Sequence, residues 1–582
     1  MIARVPSAAA LQYRLCAAPA YRISDTSKVS ARSWASLANP ASSSVPAPNS
    51  AAPTPKPFDA IPSVPRVPLL GSAIEFGKLE PKDTGKKFHH VVKKLAAKYG
   101  PIVRLRMPGY DRDAVLVTDP DMVADVHRNE GPFPKRPGVL TWLHMRERRQ
   151  VPLGVVFENG HEWKKLRLAV QAPISQPKNV NAHFPAINTA TVQAMTNLEQ
   201  GLREAGPQTL AGKDPFVMED LVMRWTIEGV TRSLPTLFRP CHASLVLDSI
   251  PAHPVSAHIF SRLLTPSSPA IAVSEVILGQ RLGALDAHPN PLARDMVRTV
   301  NAMGETTGPV VMLPTFIWRN QLTRTAREHF TAMEEMMDVT RTLMDTTLTE
   351  CARDPAKLQG TFLGHVLQRD TSITRADLLS TTVDLLIAGI DTTSRTLLNA
   401  MNLLGRYPSV QRKLRDEIVR VVGENPNVAV DAAHLAQFKY LKNVIMETTR
   451  VCAVFPINMR FLAQDAVVGG YAVPRDTEMM LGMEAIAHND KFFADPDTFD
   501  PDRWDRGGIH PFAHLPFGFG PRMCVGRRIA ETEMAMFLTH LLRRFEIRPS
   551  PAPDDVVFNI VLATATPMPL RYRPLNGATA AV

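Results

Sequence analysis

The sequence predicts a mainly helical fold carrying small β-sheets. Helical periodicity dominates from about residue 157 onward, two short strand-like runs stand near 101–118, and strand-like pieces return only at 467–473 and near 556–566. The 582 residues are 45% hydrophobic and 21% charged, a globular composition that excludes disorder for most of the chain. No internal repeat and few polar linkers are visible, so one or two large units fit better than the several domains that length alone suggests.

Taken in order, residues 1–57 are rich in Ala and Ser. They carry Arg4, Arg14, Arg22, Lys28, Arg32 and Lys56 against Asp25 alone. They lack the apolar run of a secretory signal and read as an organellar transit segment. Much of the formal net charge of +10 therefore sits at the front, and the mildly basic body gives no reason to expect nucleic acid as a partner. Pro53, Pro55, Pro57, Pro62, Pro65 and Pro68, ending at Gly71, make a stiff extended lead-in, because proline fixes φ and denies helix. Residues 88–99 have helical periodicity, and 101–107 with 113–118 read as strands joined by a Gly-Tyr-Asp turn.

Residues 221–230 and 273–285 look like two parts of one helix. Between them lie residues 231–272, with six prolines, three histidines, no Gly, no Lys and Asp248 as the one acid. A structureless insert of that length inside a compact domain contradicts ordinary loop lengths. It reads as a retained intron, with a surface loop of this lineage as the competing account.

No run reaches the ~18 apolar residues that span a bilayer. The longest helical pattern, near 378–404, carries Asp384, Asp391 and Arg395, so no transmembrane anchor is expected. Cys16, Cys241, Cys351, Cys452 and Cys524 are odd in number and have no C-x-x-C spacing, against both a disulfide framework and a structural zinc site. Any special cysteine acts alone.

One does stand in special company. Phe517-Gly-Phe-Gly-Pro-Arg522-Met-Cys524-Val-Gly526 precedes the helical run 527–545, placing a lone thiol where a helix N-terminus and the Arg522 cation favour a thiolate. A dinucleotide loop is excluded, since no Gly stands at the sixth position and no strand of the βαβ type precedes it. A buried structural cysteine in a glycine-rich turn is the plain alternative. Ala388-Gly-Ile-Asp391-Thr392-Thr393 sits mid-helix in a run opened by Thr374 with Asp377, a capping-box pattern. There Thr392 can bond back to the Ala388 carbonyl and open a groove. Glu447-Thr-Thr-Arg450 puts acid and base on one helical face, and Trp163 and Arg167 lie one turn apart.

The pattern F-x-x-G-x-R-x-C-x-G closely resembles the haem-binding loop of the cytochrome P-450 family. The other motifs follow in family order, so the resemblance covers about 58–575 apart from the insert. It implies that haem b lies between the long central helix and the cysteine loop, with Cys524 as axial ligand. Phe517 and Gly526 shape the loop, while Trp163, Arg167, Arg460 and Arg522 hold the propionates. Asp391 and Thr392 organise proton delivery to dioxygen, and Glu447, Arg450 and Arg503 form a buried network that locks the cysteine region.

The transit-like front and the run Cys524-Val-Gly-Arg-Arg-Ile-Ala-Glu531 point to the mitochondrial branch. That branch implies electrons from a [2Fe-2S] ferredoxin with its NADPH-dependent reductase. Lys442 stands at a docking position, with Arg527 and Arg528 as steering charges, although Met446 occupies the place of the second lysine often found four residues on. Residues 310–318 fall in a substrate-entry region that implies peripheral contact with the inner membrane from the matrix side.

The expectation is a haem-thiolate monooxygenase inserting one oxygen atom from O2 into an apolar substrate, a sterol, steroid or secosteroid, with detoxification of foreign lipophiles as the other substrate class. A haem-thiolate isomerase or dehydratase that needs no O2, and a haem-binding sensor or carrier without turnover, are the alternatives. The pocket segments 132–156, 454–458 and 560–564 are apolar and specify only a greasy ligand.

Overall fold

The computed structural model describes residues 54–575 except 83, 212–215, 229–281, 354–361, 370–371, 550–555, 559–560 and 565–568. The transit-like segment before residue 54 and the 231–272 insert lie outside the described residues. Among the described residues helices dominate, and four small sheets accompany them. No helix is long and apolar enough to cross a membrane among the described residues.

The largest sheet orders its strands Ile102–Leu105, Ala114–Val117, Glu478–Leu481 and Asn458–Phe461. The middle pair is parallel, Ala114 facing Glu478, and the outer pairs are antiparallel, Arg460 facing Met479. Ala114–Val117 and Glu478–Leu481 are buried at every position, as strands covered on both faces should be. The helix Phe88–Tyr99 packs on this sheet with Val91, Val92 and Leu95 buried. The proline-rich lead-in is tied to the sheets by bridges from Lys56 to Tyr471 and from Ser63 to Arg104, but it is not extended throughout, since a 3-10 turn at Phe58–Ala60 lies between the bridges.

The helical body is organised by Arg375–Arg406, which touches helices on several sides. Thr374 caps it: its hydroxyl accepts the Asp377 N–H at 3.1 Å and the Asp377 carboxylate accepts the Thr374 N–H at 3.0 Å. Pro408 opens the next helix directly behind it, so the chain turns at Tyr407. Beside it lies Arg527–Arg544, the helix behind the cysteine, buried from Thr532 to Arg544.

One helical expectation fails. Residues 282–285 are turn and coil, although Leu282, Ala284 and Leu285 are buried. Their backbone groups are satisfied by side chains: the Glu228 carboxylate takes the Ala284 N–H, Arg224 donates to the Ala284 carbonyl and Asn197 to that of Leu285. Apolar spacing there reflects a loop covering the core, and a covered loop can mimic helical periodicity.

Candidate active site

The cysteine loop is a series of tight turns closed by backbone bonds. Gly518 N–H donates to Leu515 O at 3.0 Å, Met523 N–H to Gly520 O at 3.0 Å and Cys524 N–H to Phe517 O at 2.8 Å. Gly520 has φ of +72°, and a Cβ there would lie 2.5 Å from Glu130 Oε1, so both conformation and space demand glycine. At Gly526 an added Cβ would meet only Cys524 Sγ, at 4.0 Å, which leaves a side-chain-free space beside the thiol.

Cys524 is exposed, yet burial is the largest influence on its thiol and pushes it up. Accessible surface on a group enclosed by protein marks the wall of an internal cleft. The central helix shows the same signature. Between Leu378 and Met401 every residue is buried except Ala388, Gly389 and Thr392. The Thr392 hydroxyl donates to the Ala388 carbonyl at 2.7 Å, within a helix that stays continuous. The helix Arg375–Arg406 packs against Arg527–Arg544, the helix that follows the cysteine loop.

Asp391 is buried, which pushes its carboxyl up, while Arg395 four residues on pulls it down from 3.2 Å. Arg395 also pairs with Glu219 and donates to Asn301 Oδ1 at 3.1 Å. The acid expected from the sequence therefore has a cationic anchor that sequence reasoning missed.

Four guanidinium groups gather near the cysteine: Arg136, Arg167, Arg460 and Arg522. Burial first, then mutual repulsion, lowers Arg136 to about 9 and Arg522 to about 8. Guanidinium groups do not give up protons in this range, so the depression is read as electrostatic tension that anions between the cations would relieve. Strand pairing places Arg460, whose Nε bonds Glu130 Oε2 at 2.7 Å. Arg522 is occupied differently. It donates to Pro134 O at 2.7 Å, Val156 O at 3.3 Å, Glu158 O at 2.5 Å and Asn159 Oδ1 at 2.8 Å, and stacks on buried Trp163 at 4.3 Å. It clamps the cysteine loop to residues 134–159. Arg136 escaped the sequence reading because a loop has no periodicity to place it.

Glu447, Arg450 and Arg503 are brought together in full. Arg450 Nε and Nη2 meet the two oxygens of Glu447 at 3.0 and 2.8 Å, and Arg503 Nε meets Oε1 at 2.9 Å. Trp504 Nε1 adds a bond at 3.1 Å. The remaining guanidinium donors take the carbonyls of Ala487, Ala494, Asp495, Pro496 and Thr498, pinning that loop.

On the surface, Lys442, Arg527 and Arg528 are exposed. Arg527 is paired with Glu531 at 2.9 Å and lies over Phe517, and Arg528 donates to Ser175 O at 3.1 Å.

A single cysteine on a cleft wall, a notched helix packed against its helix, and a crowd of arginines fit one prosthetic group. Haem b would offer iron to the cysteine and two carboxylates to the cations. The cytochrome P450 family model matches residues 62–231 and 267–568. The chain belongs to the cytochrome P450 family and is a haem-thiolate monooxygenase. It is 28% identical over 529 residues to the mitochondrial cholesterol side-chain cleavage enzyme of Sus scrofa, covering 90% of this chain and 91% of that one. It is 27% identical to the mitochondrial cytochrome P450 11B of Aquarana catesbeiana (89% and 90% covered). With the mitochondrial 1,25-dihydroxyvitamin D(3) 24-hydroxylase of Rattus norvegicus it shares 24% (87% and 87%).

Proposed function

We propose that this enzyme hydroxylates a sterol, steroid or secosteroid in the mitochondrion, with electrons delivered by a [2Fe-2S] ferredoxin and its NADPH-dependent reductase. The observation that carries the reading is the notch at Ala388, Gly389 and Thr392 in a helix buried at every other position from Leu378 to Met401, on a chain similar over most of its length to mitochondrial enzymes named for cholesterol and vitamin D. Residues 58–575 are the catalytic unit, 1–57 the address segment and 231–272 an insert.

Cys524 Sγ would hold the haem iron, and the group would supply oxygenation of a C–H bond, one atom of O2 going into the product and the other leaving as water at the expense of two electrons and two protons. A coordinating metal deprotonates a thiol outright, which overrides the burial that pushes Cys524 up. Trp163, Arg136, Arg167, Arg460 and Arg522 hold and neutralise the propionates. Gly526 keeps the space beside the thiol clear, and Phe517 closes the loop through its carbonyl. Thr392 Oγ1 presents a hydroxyl at the notch, and Asp391, anchored by Arg395, replenishes its proton. The Glu447, Arg450 and Arg503 network keeps the cysteine region from shifting.

Lys442 offers an exposed cation for an acidic ferredoxin and Arg528 another, while Arg527 is partly neutralised by Glu531. An apolar face suits peripheral attachment to a bilayer: Leu69 is 79% and Phe316 56% exposed, and the two segments meet at Gly109, which bonds to both Leu69 and Thr315. Reconstitution with ferredoxin, reductase and NADPH against a panel of sterols, steroids and secosteroids, with products read by mass spectrometry, tests the reading. A product gaining one oxygen atom supports it. NADPH-independent conversion of a peroxide would instead indicate an isomerase or dehydratase.

A further inference from the structure

We infer that Arg146 and Asp384 are positioning residues that fix the clearance between the central helix and the cysteine loop. This rests on the reading that haem and substrate occupy the space between them. Neither residue belongs to the motifs discussed above. Arg146, on the helix Leu140–Arg148, is 1% exposed at its side chain and Asp384 0%, and Arg146 Nη2 lies 2.5 Å from Asp384 Oδ1. Asp384 stands one turn before Ala388, at the edge of the notch.

The pair does more than neutralise itself. Arg146 Nη1 donates to the carbonyls of Pro152 and Leu153, and Asp384 Oδ2 accepts the Val156 N–H at 2.8 Å. The carbonyl of the same Val156 accepts Arg522 Nη1 at 3.3 Å. One residue thus joins a carboxylate of the central helix to the arginine two positions before Cys524. Gly154 permits the approach: its φ is +75°, and a Cβ there would lie 2.5 Å from Asp384 Oδ2 and 2.8 Å from Ser380 O. Residues 146–158 are consequently a spacer bolted to both walls of the cleft.

Stability alone does not account for such a pair. Desolvating two charges costs as much as their attraction returns, and well-packed apolar replacements are commonly neutral or stabilising. What an apolar pair cannot do is accept the Val156 N–H or hold the Pro152 and Leu153 carbonyls at a set distance.

The test uses the full-length haem-loaded protein and two iron-ligating probes, imidazole and the bulkier 4-phenylimidazole, in optical titrations. In R146M/D384L we expect the ferrous carbon monoxide spectrum to hold, while the ratio of the two affinities moves about tenfold, equivalent to ~1.4 kcal/mol. An unchanged ratio overturns the inference. Should the double variant fail to retain haem, D384E lengthens the carboxylate arm by one methylene and keeps the charge. Its ratio must also shift, and a wild-type ratio there overturns the inference equally. Absence of the thiolate spectrum from the unmodified protein would refute the haem reading itself, a separate outcome.

Discussion

Arg450 grips both carboxylate oxygens of Glu447 with neither side chain exposed, and Arg503, far along the chain, adds a third bond to the same carboxylate. Removing the carboxylate strands two buried guanidinium groups, a loss of about 3–5 kcal/mol. Glu447→Ala should fail to accumulate as haem protein. Glu447→Gln, which keeps the shape without the charge, should load some haem and release it faster. Transfer of haem to an apo-globin measures both.

At the notch, Thr392→Ala deletes the hydroxyl that bonds Ala388 and leaves the fold around it intact. Haem content and substrate-induced spectral change should match the parent. Product per NADPH should fall, with the electrons recovered as hydrogen peroxide. Unaltered coupling would make Thr392 a structural residue.

Gly520→Ala meets a left-handed backbone and the Glu130 carboxylate together. A strained conformation of this kind costs about 1–3 kcal/mol. The variant should unfold at lower temperature and lose haem faster than Gly77→Ala, where an added Cβ meets nothing.

Acid should destabilise the protein through its buried neutral histidines. Burial holds His329 and His540 neutral, with values lowered to about 4 and about 3. The unfolded chain binds protons at these positions from about pH 6.5 downward and the folded chain does not. Stability contributed by each neutral histidine is therefore present above the unfolded value and falls with pH through the window down to the folded one. Urea unfolding at a series of pH values should show this slope, and His329→Gln should flatten it.

The docking reading predicts that electron transfer from ferredoxin slows as salt rises, because exposed opposite charges are screened over roughly 8–10 Å. Lys442→Glu should slow it further at low salt and matter little at high salt. A rate indifferent to both would point to a different partner or face.

The insert makes a prediction of its own. Sequencing the mature transcript should show a dominant message lacking codons 231–272, and a protein without them should load haem. Codons present in that message, together with lost haem after deletion, would make the segment a working element.

Legibility followed sequence distance. The cysteine loop, the Thr392 bond to Ala388 and the Thr374–Asp377 cap are local, and local spacing carries them. Glu447 with Arg450 is local as well, and Arg503 joined them through resemblance. The Arg146–Asp384 pair bridges distant segments, and Asp384 in the sequence is merely a charge interrupting an apolar helix. Arg136 and Glu130 come from a loop, where no period predicts direction. Residues 282–285 misled because burial and helical spacing coincided in a loop whose backbone is satisfied by Glu228, Arg224 and Asn197.

The central claim is that Cys524 binds the iron as a thiolate. The ferrous carbon monoxide spectrum tests it most directly: the parent and Cys452→Ala should show the red-shifted Soret band of thiolate ligation, and Cys524→Ala should lose it. Retention of that band in Cys524→Ala would contradict the account.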